Sequence, residues 1–315
     1  MRYSPQNIYI CKKSITHMKH LKVFIIVFLL ATCIKAQTFY EKVAIKSCDC
    51  FSSLETLQEL EDSVVDCVSA AMSRVLNENP ADEMEILNTV DGVNVAFEEV
   101  GKLLYSYCYS VRRLIINEKE SEFYQLSSNQ KANEHYSTGN YFMDKGDYKK
   151  SISEFKKAVK IDKNFVLAYD HLAISYRRLE KFKQALKYYQ KSMDIYPEGY
   201  LAILNTAVIY SFMNDYDKSL NYYNFLTYLY ADDPEGYFGA GKILFLKSDY
   251  KNALENVFIA HIMYVNTNNT DYIKDSEYLI SLMYKELKEK GMLDLFNEVA
   301  EKFNIKINED ENQNQ

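Results

Sequence analysis

The sequence predicts an all-α protein: an α-solenoid of antiparallel helical hairpins, preceded by a small helical module that disulfides hold together. Three observations predict this fold. The 315 residues include only 9 glycines and 4 prolines, which leaves little material for β-hairpin turns and favours long helices with short connections. Apolar residues recur at helical spacing along most of the chain. In its middle, a pattern of apolar and small residues repeats every 34 positions.

Composition and charge describe a globular, acidic chain. Apolar residues make up 48% and charged residues 26%, as in chains that bury a core. The first 36 residues carry six basic and no acidic residues, so the remainder holds 31 basic against 44 acidic residues, a net charge of −13. Such a body repels phosphate backbones, and we therefore expect no nucleic-acid partner.

Residues 1–36 have the pattern of a secretory signal peptide. A basic start precedes the apolar run 23–31, and Ala36 places a small residue just before Gln37. The run is about half as long as a membrane-spanning helix requires. We therefore expect cleavage near Ala36, export to the periplasm or the medium, and no transmembrane segment in the mature chain. The alternative is a lipoprotein with its lipid on Cys33.

Four cysteines remain after such a cleavage: Cys48, Cys50, Cys67 and Cys108. An even number in an exported chain predicts a disulfide framework. Cys48 and Cys50 are too close to bridge comfortably, so each is expected to pair with Cys67 or Cys108, and which takes which stays open. A structural zinc site would need a second closely spaced pair, and a redox motif would need two intervening residues. Disulfides are therefore the favoured interpretation.

Residues 37–128 are expected to form this cysteine-bearing helical module. Apolar residues at helical spacing predict one helix over 64–76 and another over 93–111. Ser52 and Glu55 have the spacing of a capping box, although the helix could instead run through both and turn later. The Cys-x-Cys start and the later single cysteines resemble a group of secreted proteins from the Bacteroidetes, a likeness that suggests origin more than activity.

Residues 132–267 divide into four registers of 34 residues, which begin at Ala132, Val166, Tyr200 and Pro234. One column of equivalent positions is always aromatic: Tyr148, Phe182, Tyr216 and Tyr250. Another is always small: Ser151, Ala185, Ser219 and Ala253. A short polar break separates two apolar helical stripes in each register: Gly146-Asp147, Glu180-Lys181, Asn214-Asp215 and Ser248-Asp249. Each register is therefore predicted to be an antiparallel hairpin, and hairpins of this size bury their apolar faces only by stacking.

The pattern resembles the tetratricopeptide repeat. The second register supplies most of that family's motif: Tyr169, Leu172, Ala173, Tyr176, Ala185, Tyr189, Ser192 and Pro197. Some positions depart from it, because Lys163 stands where proline is usual, Leu226 replaces a small residue and His135 replaces the first aromatic residue. The resemblance covers residues 132–267 and implies a superhelical stack. Beyond it we expect capping helices over 268–307 and a disordered polar tail over 308–315.

In arrays of this family the first helix of each hairpin lines a concave groove that takes a peptide or a helix. Carried over position by position, the resemblance places ten residues in such a groove: Asn140, Asp170, Arg177, Arg178, Leu204, Val208, Phe212, Phe238, Lys242 and Phe245. The polar members precede the mainly apolar ones, which predicts that the groove grips an apolar or aromatic segment at its C-terminal end, with Arg177 and Arg178 meeting a carboxylate. The alternative is that some apolar members simply bury against neighbouring helices.

The function these features favour is an exported scaffold or adaptor that binds a partner protein or peptide. The alternative is a structural component of a cell-envelope assembly, which lipid on Cys33 would anchor. The histidines of the mature chain lie away from cysteines and paired carboxylates: His135, His171 and His261. The Gly239-Ala240-Gly241 segment lacks the strand and the third glycine of a dinucleotide loop. We expect no catalytic residue, no cofactor and no metal, and hence no enzyme.

Overall fold

A computed structural model describes residues 37–78 and 87–305, and every regular element in these ranges is an α-helix. In chain order they are α1 (Phe39–Phe51), α2 (Leu57–Glu78), α3 (Val90–Tyr107), α4 (Tyr109–Phe123), α5 (Gln130–Asp144), α6 (Tyr148–Ile161), α7 (Val166–Arg178), α8 (Phe182–Ile195), α9 (Tyr200–Phe212), α10 (Tyr216–Leu229), α11 (Pro234–Leu246), α12 (Tyr250–Asn266), α13 (Thr270–Glu289) and α14 (Leu293–Lys302). The predicted all-α class is confirmed. The predicted signal peptide, with Cys33, and the predicted tail over 308–315 lie outside the described residues.

Helices α1 to α4 form the cysteine-bearing module, which has an apolar core of its own. Cys50 on α1 and Cys67 on α2 form a disulfide, with their Cα atoms 5.7 Å apart. Cys48 and Cys108 are thiols. Of the two bridges that the sequence predicts, the structure therefore contains one, and it shows which partner Cys50 takes.

Two helix boundaries in the module differ from the prediction. The capping box is formed by Thr56 and Glu59: the Glu59 carboxylate accepts the N–H groups of Glu55 (2.8 Å) and Thr56 (3.3 Å), and the Thr56 hydroxyl accepts the Glu59 N–H (3.2 Å). The helix predicted over 93–111 is interrupted at Cys108, whose extended backbone (φ −113°, ψ 109°) ends α3 and begins α4. The chain therefore turns a corner at a cysteine.

Helices α5 to α12 pair as four hairpins, and each hairpin packs against the next. The same turn ends the first helix of every hairpin, at a residue with positive φ: Gly146 (73°), Glu180 (56°), Asn214 (57°) and Ser248 (61°). The N–H of the following residue bonds the carbonyl five positions back, as from Asp147 to Phe142 at 2.9 Å. This is a Schellman turn, and its four copies coincide with the predicted polar breaks.

The predicted small column lies in the interior of the array. All four members of the small column are 0% exposed, which lets the two helices of each hairpin approach closely. In the first hairpin the approach requires a glycine, because a Cβ on Gly139 would lie 2.5 Å from the Phe155 ring. Sequence periodicity thus predicted both the hairpins and what they bury.

The first helices of successive hairpins also contact one another, from α5 through α7, α9 and α11 to α13. The outward surface of these helices is called the groove face below. At the C-terminal end of the array, α13 and α14 pack on the last hairpin. Their shared apolar core contains Met283 and Phe296, both about 1% exposed or less. None of the fourteen helices in the described ranges has the length and apolarity required to cross a membrane.

The module packs against the middle of the array through α4 and the residues after it. Lys119 Nζ lies 2.6 Å from Glu198 Oε1, and the Phe123 ring stacks on Tyr196 with ring centroids 5.2 Å apart. Ile116 joins an apolar cluster of the third hairpin that contains Ile203, Leu226 and Leu229. The module is therefore integrated with the array.

Candidate functional site

Asp170 on α7 lies in the interior, so the prediction that it lines the groove is wrong. It is 0% exposed, and the Tyr124 hydroxyl, just after α4, donates a hydrogen bond to its Oδ2 at 2.9 Å. Burial raises the pKa of Asp170 to about 7, because the charged carboxylate loses its hydration. The sequence of α7 carries no sign of this burial, since the covering side chain comes from outside the repeats.

Asn140 on α5 is half-buried and already bonded within the protein. Its Oδ1 lies 2.8 Å from His171 Nδ1, and the His171 ring stacks on Tyr136 with centroids 5.2 Å apart. Burial lowers the pKa of His171, which favours the neutral ring. The carbonyl of the Asn140 amide is thus committed to an internal hydrogen bond.

Arg177 and Arg178 lie in the last turn of α7. Arg178 is exposed and Arg177 half-buried. Within the described part of the chain, the Arg177 Nε is buried and has no hydrogen-bond partner. The exposed guanidinium of Arg178 can bind a carboxylate through charge-assisted hydrogen bonds, whereas the buried Nε of Arg177 is not accessible to a ligand.

The predicted apolar residues of α9 divide into two that pack and one that is exposed. Leu204 packs against the cluster that contains Ile116, and Val208 packs against the cluster between the third and fourth hairpins. Phe212, at the end of α9, is 62% exposed and stacks on Phe182, with parallel rings 5.9 Å apart. Leu204 and Val208 therefore pack against neighbouring helices, as the alternative interpretation of the groove residues expected, whereas Phe212 is open to solvent.

On α11 the predicted residues form a half-buried aromatic surface with a cation beside it. Phe238 meets the edge of Tyr264 at 6.0 Å, and Phe245 meets Tyr250 at 6.0 Å. The exposed Lys242 places its Nζ 5.4 Å from the Phe238 ring centroid. Lys242 can therefore pair with an acidic ligand group while the aromatic faces take an apolar one.

The structure adds residues that the prediction missed. Leu246 is 56% exposed and is the equivalent of Phe212 one repeat later, so the 34-residue period could have found it. An open depression of ≈ 430 Å³ lies between α11 and α13, lined by Phe245, Leu282, Lys285, Glu286, Glu289 and Lys290. Leu282 is on the capping helix, which is out of register and gives no such signal. Phe212, Phe245, Leu246 and Leu282 are together called the apolar end of the groove face.

Each histidine in the described part of the chain forms a hydrogen bond with a side chain of another helix. His135 Nδ1 lies 2.7 Å from Glu154 Oε2, and His261 Nδ1 lies 2.9 Å from the Ser276 hydroxyl. In residues 37–78 and 87–305, no group of three or more His, Cys, Asp or Glu side chains is arranged to hold a metal ion.

Comparison with known proteins agrees with this architecture. Tetratricopeptide repeat models match residues 135–165 and 166–198, which are the first two hairpins. No curated protein matches the sequence.

Several solved structures are similar in fold. The structure of MamA residues 41 to the end, from Desulfovibrio magneticus RS-1, is 14% identical, covers 60% of this chain and 100% of its own, and has a TM-score of 0.47. Another MamA crystal structure is 18% identical, covers 55% and 92%, and scores 0.46. The Cut9–Hcn1 hetero-tetramer of the APC/C is 18% identical, covers 81% of this chain and 48% of the matched chain, and scores 0.46. Residues 135–198 of this chain therefore contain two tetratricopeptide repeats, which lie within a longer stack of helical hairpins.

Proposed function

We propose that the chain is an exported scaffold that holds a partner protein by an apolar segment bound at the apolar end of the groove face. Tetratricopeptide repeats build protein-interaction scaffolds with extended binding surfaces, and the repeat matches support that general role. The observation that carries the finer proposal is the exposure of Phe212 and Leu246, at 62% and 56%, at equivalent positions of two helices in contact.

The chemistry of this surface defines the segment that it would bind. Exposed apolar side chains at repeat spacing favour an extended or helical segment with apolar or aromatic residues. Arg178 precedes this surface and Lys242 lies within it, and both are exposed. A segment whose apolar residues are flanked by carboxylates would therefore satisfy both the apolar and the cationic groups.

Binding to a displayed peptide library tests the proposal. Peptides enriched on the wild type should contain apolar residues beside Asp or Glu. Phe212→Ala should weaken their binding about tenfold, or ~1.4 kcal/mol, as for a central aromatic contact. Tyr141→Ala is the matched control, because Tyr141 is 58% exposed on α5 and lies outside the apolar end. Equal losses in both variants, or in neither, would argue against the apolar end as the binding surface.

A charge variant tests the cationic groups separately. Arg178→Glu should weaken acidic peptides more than neutral ones, because the exposed guanidinium contributes mainly through its charge. The effect should shrink at high salt, where exposed charges are screened. An equal loss for acidic and neutral peptides would remove the carboxylate from the proposed ligand.

Export is the second part of the proposal, and the basic and apolar pattern of residues 1–36 supports it. Mass spectrometry of the mature N-terminus distinguishes the two forms of export. A chain that begins at Gln37 would be a soluble scaffold, whereas lipid on Cys33 would make it an anchored component of the cell envelope. A native protein that keeps residues 1–36 would refute both forms.

A further inference from the structure

The two cysteines outside the Cys50–Cys67 disulfide lie against each other. The Cys48 Sγ on α1 is 3.6 Å from the carbonyl oxygen of Tyr107, the residue before Cys108, and the two thiols are close enough for each to shift the pKa of the other. Cys108 belongs to the buried core of the module, and Cys48 packs on that core. The thiols therefore come from separate elements, the end of α1 and the corner between α3 and α4.

Helix geometry explains why Cys48 and Cys50 take different partners. Two residues that are two positions apart on an α-helix point in directions about 200° apart. Cys50 faces α2, where Cys67 has already bonded to it. Cys48 is left facing the corner at Cys108, so no exchange of partners is required to bring this second pair together.

The local electrostatics favour reaction between the two sulfurs. The interaction with the Cys48 thiol lowers the pKa of the Cys108 thiol to about 7, and the backbone N–H groups of Val111 and Ser110 at the start of α4 act in the same direction, against the effect of burial. The same interaction raises the pKa of Cys48, so Cys108 is the thiolate of the pair. The pair therefore holds a thiolate near neutral pH, and the thiolate is the form that attacks a disulfide.

We propose that Cys48 and Cys108 are an oxidation site and form the second cystine of the module. A disulfide-bearing oxidant accepts the electrons. The Cys108 thiolate attacks a sulfur of the oxidant and forms a mixed disulfide, and the other sulfur of the oxidant leaves as a thiol. Cys48 then loses its proton and attacks the Cys108 sulfur, which displaces the second sulfur of the oxidant. One S–S bond forms in the protein and one breaks in the oxidant, whose two sulfurs leave as thiols with the two protons and two electrons that the cysteines lose.

This cystine would join α1 to the part of the module that contacts the array. At the same corner, Arg112 Nη1 donates to the carbonyl oxygens of Tyr105 (2.7 Å) and Ser106 (3.2 Å). The Arg112 guanidinium also lies 3.9 Å from the ring centroid of Tyr228 in the third hairpin. The bond therefore fixes the corner on which the module and the array meet.

Disulfide mapping of the full-length protein tests the proposal. The protein is oxidised with glutathione disulfide, alkylated under denaturing, non-reducing conditions and cut with a protease that cleaves before aspartate. Cys11 and Cys33 are replaced by serine in every protein tested, and Asp49, Asp66 and Asp91 then separate the four remaining cysteines, so each falls on its own fragment. The expected result is one linked pair of fragments carrying Cys48 and Cys108, in addition to the Cys50–Cys67 pair.

Two variants remove ambiguity. C67S should keep the link between Cys48 and Cys108 and leave Cys50 as an alkylated thiol. C48S should keep the Cys50–Cys67 link and leave Cys108 as an alkylated thiol. Alkylation of both Cys48 and Cys108 in the oxidised wild type, or a link from Cys108 to Cys50 in wild type or C67S, would overturn the proposal.

Discussion

The two halves of the groove face present different kinds of side chain. On α5 and α7, the Asn140 carbonyl bonds His171, and Asp170 is buried beneath the Tyr124 hydroxyl. On α9 and α11, exposed apolar side chains face outward, with Phe212 62% exposed. The first half is therefore largely committed to the protein itself, and the second half is open to a partner.

Part of this difference comes from outside the repeats. The segment that follows α4 covers α7 and supplies Tyr124, whereas α9 and α11 end in exposed Phe212 and Leu246. A position that lines the groove in one hairpin can thus be part of the core in the next. Binding residues in a repeat array follow from the repeat only where nothing else in the chain packs on it.

The largest expected effect concerns the burial of Asp170 in the first half. The unfolded chain has an aspartate pKa near 3.9, and the folded pKa is about 7. Because the folded value is raised, the stability that the protonated carboxyl contributes at low pH is lost as the pH rises through 7, by on the order of 4 kcal/mol in total. Asp170→Asn cannot ionise, so its advantage in free energy of unfolding should grow from pH 4 to 7 and then level off.

Urea unfolding at a series of pH values measures this difference. Tyr124→Phe is the companion variant, because the phenol O–H lowers the pKa of Asp170 against the effect of burial. Without this O–H group the pKa of Asp170 should rise further, so the loss of stability should continue to higher pH. A difference between Asp170→Asn and wild type that does not change with pH would show that Asp170 is solvated, and the contrast between the halves would fail.

The next effect compares the same helix position in the first and last hairpins. A Cβ on Gly139 would meet only atoms of the Phe155 ring, the nearest at 2.5 Å, whereas a Cβ on Gly241 would meet Val257 Cγ2 at 2.5 Å and the backbone oxygen of Ala253 at 3.1 Å. A ring can rotate away more easily than backbone can move. We expect Gly241→Ala to cost about 2–3 kcal/mol and Gly139→Ala about 1 kcal/mol.

Thermal or urea unfolding checks both values. Gly101→Ala on α3 is the control, since no atom lies within 4 Å of its added Cβ, and the better helix propensity of alanine should stabilise the module by about 0.5–1 kcal/mol. Equal costs at Gly139 and Gly241 would mean that the two ends of the array adapt to extra volume equally well.

The smallest effect concerns two half-buried histidines, His171 of the second hairpin and His261 of the fourth. Burial lowers the pKa of His171 and of His261. A lowered folded pKa means that the unfolded chain binds the proton first, so stability should fall as the pH drops below about 6.5. This is opposite in sign to the Asp170 effect. Relative to wild type, His171→Gln and His261→Gln should therefore gain stability in acid, and parallel pH curves for wild type and variants would contradict this.

Most of the array could be predicted from the sequence, because its structure is periodic in the same way as its sequence. Each hairpin buries its small column and turns at its polar break, as Ser151 and Gly146 show in the first unit. A local pattern fixes these features, and a match one repeat away strengthens each of them.

The remaining features depend on contacts between distant parts of the chain. The burial of Asp170 requires Tyr124 from another element, and the depression beside Phe245 requires the out-of-register α13. The corner at Cys108 has neither glycine nor proline to mark it, and the apolar pattern continues through it. The sequence of a single repeat or helix contains no pattern that predicts these three features.

The exposed stack of Phe212 on Phe182 has a practical consequence for spectroscopy. The chain contains 28 tyrosines and no tryptophan, so excitation selective for indole meets no chromophore in the native protein. Phe212→Trp would introduce a single fluorophore that keeps the stack on Phe182 and faces solvent. Its emission should shift to the blue when a ligand displaces water from the ring, which would allow binding to be followed in solution without any label.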